Sequence, residues 1–418
     1  MQFLSLEKRA LGPLSCAAIC ATLAGSVLLG GCKEPPAATT ADSNAAPTEG
    51  TENSGGDSPT KAKPYEGDKI LLGEYGSMTG PTASFGKSSH NGIMMAVEEI
   101  NAAGGVLDKQ VEVKALDNKG VADEAATVVK RLITQDNVLA VLGEVASSRS
   151  LAAAPICQNA GVPMISPSST NPAVTKKGNF IFRTCFIDPF QGTVGAKFAK
   201  ENLKATKAAV LTDVKNDYSV GLAQFFKEEF TKGGGQIVAE ASYSEGDKDF
   251  RAQLTTIKTK NPDVIYIPGY YTDVGNLAIQ AKSLGLKQPL LGGDGWDSPK
   301  LTAIGKGAVQ GAYFSSHYSP ESKEPRIVKF VADYKKKYGE TPDSLAACAY
   351  DAAKVMCDAI KRAGGTDREK IRAAIAETKE FPGVTGDITL DKDRNAVKPA
   401  VILQVKGNAF KYVTTVTP

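Results

Sequence analysis

Residues 111–142 read VEVKALDNKGVADEAATVVKRLITQDNVLAVL, and their periodicity decides the fold class. Val111-Glu112-Val113 is a short strand, the segment 122–135 carries Val128, Val129, Leu132 and Ile133 at helical spacing, and 138–142 is an apolar run of strand length. Strand, helix and strand in this space make a βαβ unit. Working toward the N-terminus, Ile70 to Gly73 is another apolar run. It is followed by Gly and Pro turn residues and by a helix with Ile93, Met94, Val97 and Ile100 on one face, which Gly104-Gly105 stops. Toward the C-terminus, strands are predicted at Met164-Ile165, 208–211, 236–239, 264–267 and Leu290-Leu291, with helical patterns between them. Such alternation indicates parallel sheets covered by helices on both faces. About 350 residues of it exceed what one sheet holds, so two α/β lobes are predicted. Ligands in such folds bind beyond the carboxyl ends of strands and often between domains, which directs attention to the post-strand loops.

The chain has 418 residues, 42% hydrophobic and 23% charged, the composition of a globular protein. Its 49 Lys+Arg against 46 Asp+Glu leave a net charge of only +3, without the basic field that nucleic-acid binding requires. The longest basic cluster, Lys335-Lys336-Lys337, is expected on a solvated helix face. Seven cysteines and two histidines show no metal-ligand spacing, so neither a metal nor a cofactor is expected. His90 and His317 stand alone in the sequence and are expected to be structural or at the surface.

Lys8 and Arg9 precede an apolar segment at 11–31, the pattern of a secretory signal. The segment ends in Leu29-Gly30-Gly31-Cys32, which resembles the bacterial lipobox; residues 1–31 would then be the signal peptide and Cys32 the lipidated N-terminus. The alternative is an uncleaved membrane anchor. Residues 33–67 are rich in Pro, Ala, Thr, Ser, Gly and Glu and poor in large apolar residues, so 32–67 read as a lipidated cysteine and flexible tether. The folded part is expected to start near Asp68, in the periplasm or at the cell surface.

Residues 76–88 suggest a phosphate loop, but five residues rather than four separate Gly80 from Gly86-Lys87-Ser88, and Pro81 stands within the loop. After the strand at 138–142, Gly143 to Ser150 opens a helix whose unpaired amides and Ser147 hydroxyl suit a carboxylate. The alternative is that Ser147 or Ser148 merely caps that helix. Ser166-Pro167-Ser168-Ser169-Thr170-Asn171-Pro172 forms a second hydroxyl-rich loop. In the second half, strands are followed by Asn216-Asp217-Tyr218, by Gly269-Tyr270-Tyr271 and by Gly292-Gly293-Asp294-Gly295-Trp296. Neutral donors in one lobe, with aromatics and the acceptor Asp294 in the other, complement a zwitterion. Ordinary packing remains the alternative for the tyrosines and Trp296. There is no G-x-S-x-G elbow, no H-E-x-x-H and no evident Cys–His pair, so no enzyme is expected.

Together these residues resemble the leucine/isoleucine/valine-binding family of periplasmic proteins, the substrate-binding components of branched-chain amino acid ABC importers. The resemblance covers nearly all of Lys69 to Pro418. It rests on Ser77-Met78-Thr79-Gly80-Pro81 with Phe85-Gly86, on Asn91-Gly92, on Ile100 to Gly105, on Ile165-Ser166-Pro167 with Thr170-Asn171-Pro172, and on Arg183-Thr184, Asp217-Tyr218 and Gly269-Tyr270-Tyr271. It implies a type I periplasmic binding fold: two Rossmann-like lobes with parallel sheets, joined by a three-strand hinge, that close over a ligand. Lobe 1 would comprise 68–187 and 318–390, and lobe 2 188–317 and 391–418.

The resemblance also implies roles. Ser147 would bond the ligand carboxylate, helped by Thr170 and the backbone around Ser168. Thr170 and Asp294 would face the ammonium, Tyr218 and Tyr270 would close from the second lobe, and Phe85, Trp296 and Tyr271 would shape the side-chain pocket. Asp294 stands where leucine binders have Glu, and Phe85 where Tyr is common. The family's early disulfide has no counterpart, its positions falling near Val121 and Ala146; Cys157 and Cys185 either pair instead or stay buried thiols. Cys348 and Cys357, about 13 Å apart if helical, are read as core. The implied partners are a small amino acid, an inner-membrane ABC permease and, through Cys32, the membrane, with the protein itself a monomer. The same fold around urea, an amide or an aromatic acid, or a sensor for a signalling partner, is the alternative.

Overall fold

In the computed structural model, which describes residues 61–418, the stretch quoted above forms its βαβ unit inside a five-stranded sheet. Strand β1 (Ile70–Gly76) pairs in parallel with β2 (Val111–Asp117), Ile70 opposite Val111, and with β3 (Ala140–Leu142), Leu72 opposite Ala140. Strands β4 (Met164–Ser166) and β5 (Ile181–Arg183) extend it in parallel to the order β2-β1-β3-β4-β5. Helices α1 (Ala83–Ala102), α2 (Ala122–Thr134) and α3 (Ser147–Ala160) connect the strands. Helix α2 buries Ala125, Val129, Leu132 and Ile133, the face its spacing predicted.

From α4 (Asp188–Glu201) the chain builds a second sheet: β6 (Lys207–Asp213), α5 (Asp217–Lys232), β7 (Gln236–Tyr243), α6 (Arg251–Thr259), β8 (Val264–Tyr266), α7 (Tyr271–Ser283), β9 (Leu290–Gly292), α8 (Pro299–Gly305) and β10 (Tyr313–Ser316). It then returns to the first sheet with α9 (Pro325–Tyr338), α10 (Ser344–Ala363), α11 (Arg368–Ala376) and a hairpin of β11 (Phe381–Gly383) and β12 (Gly386–Ile388). Strands β13 (Ala400–Lys406) and β14 (Ala409–Val416) complete the second sheet in the order β14-β13-β10-β9-β8-β6-β7. β13 runs antiparallel to β10 and β14, so this sheet is mixed where parallel sheets were expected. Its edge strand β14 is largely solvated, while β13 carries the apolar run Ala400 to Leu403, buried except at Val401.

Two motif glycines are explained by close approach. A Cβ on Gly92 of α1 would lie 2.1 Å from Ala346 O of α10, and one on Gly86 would lie 2.2 Å from Ser77 O. Helix α10 buries Ala346, Ala349, Ala352, Ala353 and Met356 together with Cys348 and Cys357. Cys157 and Cys185 are likewise buried, free thiols. Residues 62–67, read as the end of the tether, belong to the folded unit instead: Ala62 N–H donates to Ala160 O at 3.0 Å, and Tyr65 packs on the core beneath β1. The carbonyls of Lys63, Pro64, Tyr65 and Gly67 also accept from Arg368, Asn137, Thr366 and Lys109, partners that a composition-based reading does not reveal. The signal-like segment, Cys32 and the rest of the tether lie outside the described residues. No helix among the described residues is long and apolar enough to cross a membrane.

The chain passes between the two sheets three times, after β5, after β10 and between β12 and β13. Buried polar residues stand in all three crossings: Thr184 in the first, His317 in the second and Lys398 in the third.

Candidate functional site: the cleft between the sheets

The carboxyl ends of β1, β3 and β4 face those of β6, β8 and β9, and the loops that follow them meet. Ser84 N–H donates to Tyr271 OH at 3.2 Å, Thr272 Oγ1 donates to Pro81 O at 2.7 Å, and the hydroxyls of Ser84 and Ser298 lie 2.8 Å apart. Asp217 N–H donates to Ser148 Oγ at 2.9 Å, and Asn171 Nδ2 donates to Asp217 O at 2.8 Å. Arg149 Nη2 meets Glu245 Oε1 at 3.1 Å. Every one of these contacts joins a loop of the first sheet to a loop of the second, so the two halves are closed on each other.

On the first-sheet side, Ser147 is the first residue of α3, and the capping position belongs to Ala146, which has no side chain to offer. Its hydroxyl accepts from Asn171 N–H at 3.2 Å and keeps its own proton to donate. The first N–H groups of a helix lack intrahelical acceptors and carry partial positive charge, so a carboxylate is favoured beside Ser147. Thr170 and Ser168 are buried in the adjoining loop; among the described residues the Ser168 hydroxyl has no partner, and the Thr170 hydroxyl lies near the carboxyl group of Asp188 and opposes its rise. Arg183, fully buried on β5, holds that loop by donating Nη1 to Ser169 O and Nη2 to Asn171 O, the latter at 2.8 Å. A guanidinium spends its donors here on backbone carbonyls and thereby fixes where Thr170 stands.

Across the cleft, Asp294 begins a 3₁₀ turn after β9. Its backbone N–H donates to Gln191 Oε1 at 2.9 Å and its Oδ2 lies 3.0 Å from His317 Nε2, while Oδ1 has no partner. Asp188, at the start of α4, is also fully buried with Oδ2 unpartnered, and burial pushes its carboxyl well above the usual range. Asp294 thus presents an acceptor from the second-sheet side, while Asp188, whose backbone N–H donates to Thr170 O at 3.0 Å, adjoins the hydroxyl-rich loop of the first. Between them lie aromatics: Tyr218 stacks on Tyr270 at 5.4 Å, and Phe85 stands edge-on to Tyr270 at 5.3 Å and to Tyr271 at 5.0 Å. Phe85, Ala146 and Leu345, all from the first-sheet side, share one apolar cluster with these second-lobe rings.

The periplasmic binding protein family matches residues 69–409. The chain belongs to that family. Among its curated relatives, the leucine-, isoleucine-, valine-, threonine- and alanine-binding protein of Pseudomonas aeruginosa is 34% identical over 78% of this chain and 86% of its own. A solved leucine-binding protein, LivK of Thermotoga maritima, superposes with a TM-score of 0.81 at 44% identity, covering 84% of this chain and 99% of that one. LivJ of Streptococcus pneumoniae, solved with isoleucine, gives 0.80 at 36% identity, covering 84% and 100%. The fold is therefore the type I periplasmic binding fold.

Within this binding protein, Ser147, Ser168, Thr170, Phe85, Tyr218, Tyr270 and Asp294 converge on the closed cleft. Trp296 does not join them. Its indole N–H donates to Ile267 O at 2.9 Å and its ring covers Gly292 and faces Phe314, inside the core of the second sheet. His317, expected to be structural or superficial, is buried against Asp294. Asp188, Gln191, Arg149 and Glu245 were missed. Asp188 and Glu245 had a local signal, as polar residues shortly after a strand, and Arg149 stands within the Gly143 to Ser150 segment. His90, half-buried, pairs with buried Glu74 on β1 at 2.7 Å. No group of three or more His, Cys, Asp or Glu among the described residues is placed to hold a metal.

Proposed function

We propose that this protein is the extracytoplasmic solute-binding component of an ABC importer and that it closes around a neutral amino acid of the branched-chain type, bound as its zwitterion. The observation that carries the reading is the polarity of the cleft. Asp294 Oδ1 is a buried acceptor without a partner, and it stands across a closed interface from Thr170 and from the α3 N-terminus with its Ser147 hydroxyl. An ammonium next to Asp294 and a carboxylate next to Ser147 satisfy both ends. The rings of Phe85, Tyr270 and Tyr271 then supply an apolar wall for the side chain. The curated relative from Pseudomonas aeruginosa is named for leucine, isoleucine, valine, threonine and alanine, all neutral amino acids, and LivJ was solved with isoleucine, which agrees with that division.

In this reading residues 68–187 with 318–390 form one lobe and 188–317 with 391–418 the other. Contacts that each lobe makes only when closed supply the differential affinity by which a ligand selects that state. Cys32, diacylated, anchors the protein, and residues 33–61 act as the tether. Binding and release require no bond to be made or broken.

The test is calorimetry with a panel of amino acids on the wild type and on Asp294→Asn. Leaving a buried ammonium opposite an uncharged amide costs about 3 kcal/mol or more, a loss of at least ~100-fold. Unchanged binding in Asp294→Asn means that the ligand carries no cation, and the amino-acid reading fails.

A further inference from the structure

We propose that His317 is the positioning residue for Asp294: as a neutral imidazole it donates Nε2–H to Oδ2 and so leaves Oδ1 as the acceptor for the ligand cation. The inference rests on the reading of Asp294 as the ammonium partner and assigns the control of that carboxylate.

Three observations carry it. First, among the described residues the His317 Nε2 to Asp294 Oδ2 contact, at 3.0 Å between side chains 0% and 5% exposed, is the only hydrogen bond to the Asp294 carboxylate, and Oδ1 has none. Gln191 holds the Asp294 backbone and not its carboxyl group, so the plane of the carboxylate is set by His317. Second, the imidazole is itself immobilised, packed on Phe186 with ring centres 4.0 Å apart and planes tilted by 31°. It lies in the crossing between β10 and α9, so its position follows the geometry of the hinge. Third, an ionised carboxylate only accepts hydrogen bonds, so the proton is on Nε2. The other nitrogen, Nδ1, is buried and without a partner. An imidazolium would strand a charged N–H there, at a cost a neutral ring avoids. Burial also lowers the imidazole below its ordinary range, opposed by the bond to Asp294.

A neutral His317 leaves the full charge of Asp294 to the ligand. Protonation of His317 would cancel the charge of Asp294 and weaken binding of a cation. Other groups face the pair, namely Lys398 of the third crossing, Asp188 and Cys185 of the first, Tyr218 of α5, Tyr266 of β8, Cys348 of α10 and Asp297 after the 3₁₀ turn. Burial also raises the Asp188 carboxyl well above its usual range, so the contribution of His317 is read as the difference between wild type and variant.

The experiment measures L-leucine affinity from about pH 8 to about pH 5 for wild type, His317→Phe and His317→Gln, with melting temperature as the folding control. His317→Phe keeps the ring and its stacking but has no donor, and we expect a loss of about tenfold at neutral pH. His317→Gln keeps a donor and should bind within about threefold of wild type there, with a shallower loss on acidification. A His317→Phe that binds like wild type, or a His317→Gln that keeps the wild-type acid slope, overturns the proposal. Asp294→Asn separates the two readings: if it abolishes binding while His317→Phe has no effect, only the role of His317 fails. If Asp294→Asn is itself silent, the amino-acid reading fails with it.

Discussion

Replacing Glu245 with Gln perturbs the closed arrangement at its rim, away from the groups assigned to the ligand. Arg149 reaches Glu245 from α3 with a side chain only 4% exposed, while Glu245 is 28% exposed. At 3.1 Å and an effective dielectric constant of about 20, the gross attraction is about 5 kcal/mol. Most of it is offset: Arg149 pays for leaving water, Glu245 remains partly solvated, and an amide oxygen still accepts from the guanidinium. Exposed pairs are worth up to about 1 kcal/mol and breaking buried ones costs about 3–5, so a half-buried pair should lose about 1–2 kcal/mol. Because the pair joins the two sheets' loops, the loss falls on the closed state alone. Ligand affinity should then drop by about 5–30-fold, chiefly through faster release. Calorimetry gives the affinity and small-angle scattering of the ligand-free protein gives the degree of closure. The wild-type affinity should also weaken with added salt more steeply than that of Glu245→Gln. Affinity within twofold of wild type, with the same salt dependence, refutes the reasoning.

Two further outcomes concern the frame that holds the cleft. Gly92→Ala places a Cβ 2.1 Å from a backbone carbonyl of α10, so α1 and α10 must separate, and denaturant unfolding should show a loss of about 2–4 kcal/mol despite the better helix propensity of alanine. Asp343, the N-cap of α10, is pushed up to about 7 by burial and then by the nearby charge of Asp297. A carboxyl raised in the native state binds its proton there more tightly than in the unfolded chain, so its contribution to stability falls as pH rises from about 4 to about 7. Asp343→Asn keeps the cap and removes that slope, and its melting temperature relative to wild type should rise between about pH 5 and about pH 8; a constant difference would contradict it.

The residues legible in the sequence were those whose meaning is local. Ser147 and Thr170 stand in hydroxyl-rich loops directly after short apolar strands, and Asp294 follows Leu290-Leu291 by three residues, so strand ends alone located them. His317 and Glu245 were not legible because their meaning lies in partners 23 and 96 residues away, brought close by a strand return in one case and by closure in the other. Trp296 misled for the opposite reason. Two residues from Asp294 in sequence, it was taken for a neighbour in space, yet a 3₁₀ turn sends the two side chains in different directions, one into the cleft and one into the core. The C-terminal hairpin was not among the predicted strands although β13 carries the apolar run Ala400 to Leu403; its partner β14 interrupts the apolar residues with Lys411, Thr414 and Thr415.

The same geometry links recognition to motion. Among the described residues, the closed cleft buries Ser168 Oγ, Asp294 Oδ1 and His317 Nδ1 without hydrogen-bond partners. Each buried polar atom left unsatisfied costs about 1–3 kcal/mol, so several together oppose closure by more than rim contacts such as Arg149–Glu245 return. Closure is therefore favourable only with a solute that supplies the missing donors and acceptors in the right places. An aromatic wall would accept many apolar groups of suitable size; the polar atoms at the two ends decide which of them arrive as part of a zwitterion. Selectivity and hinge closure then have one physical origin, the desolvation of the acceptors around Asp294 and of the hydroxyls around Thr170, and the near-neutral net charge of the chain fits a cleft that recognises its solute by paired local groups rather than by a long-range field.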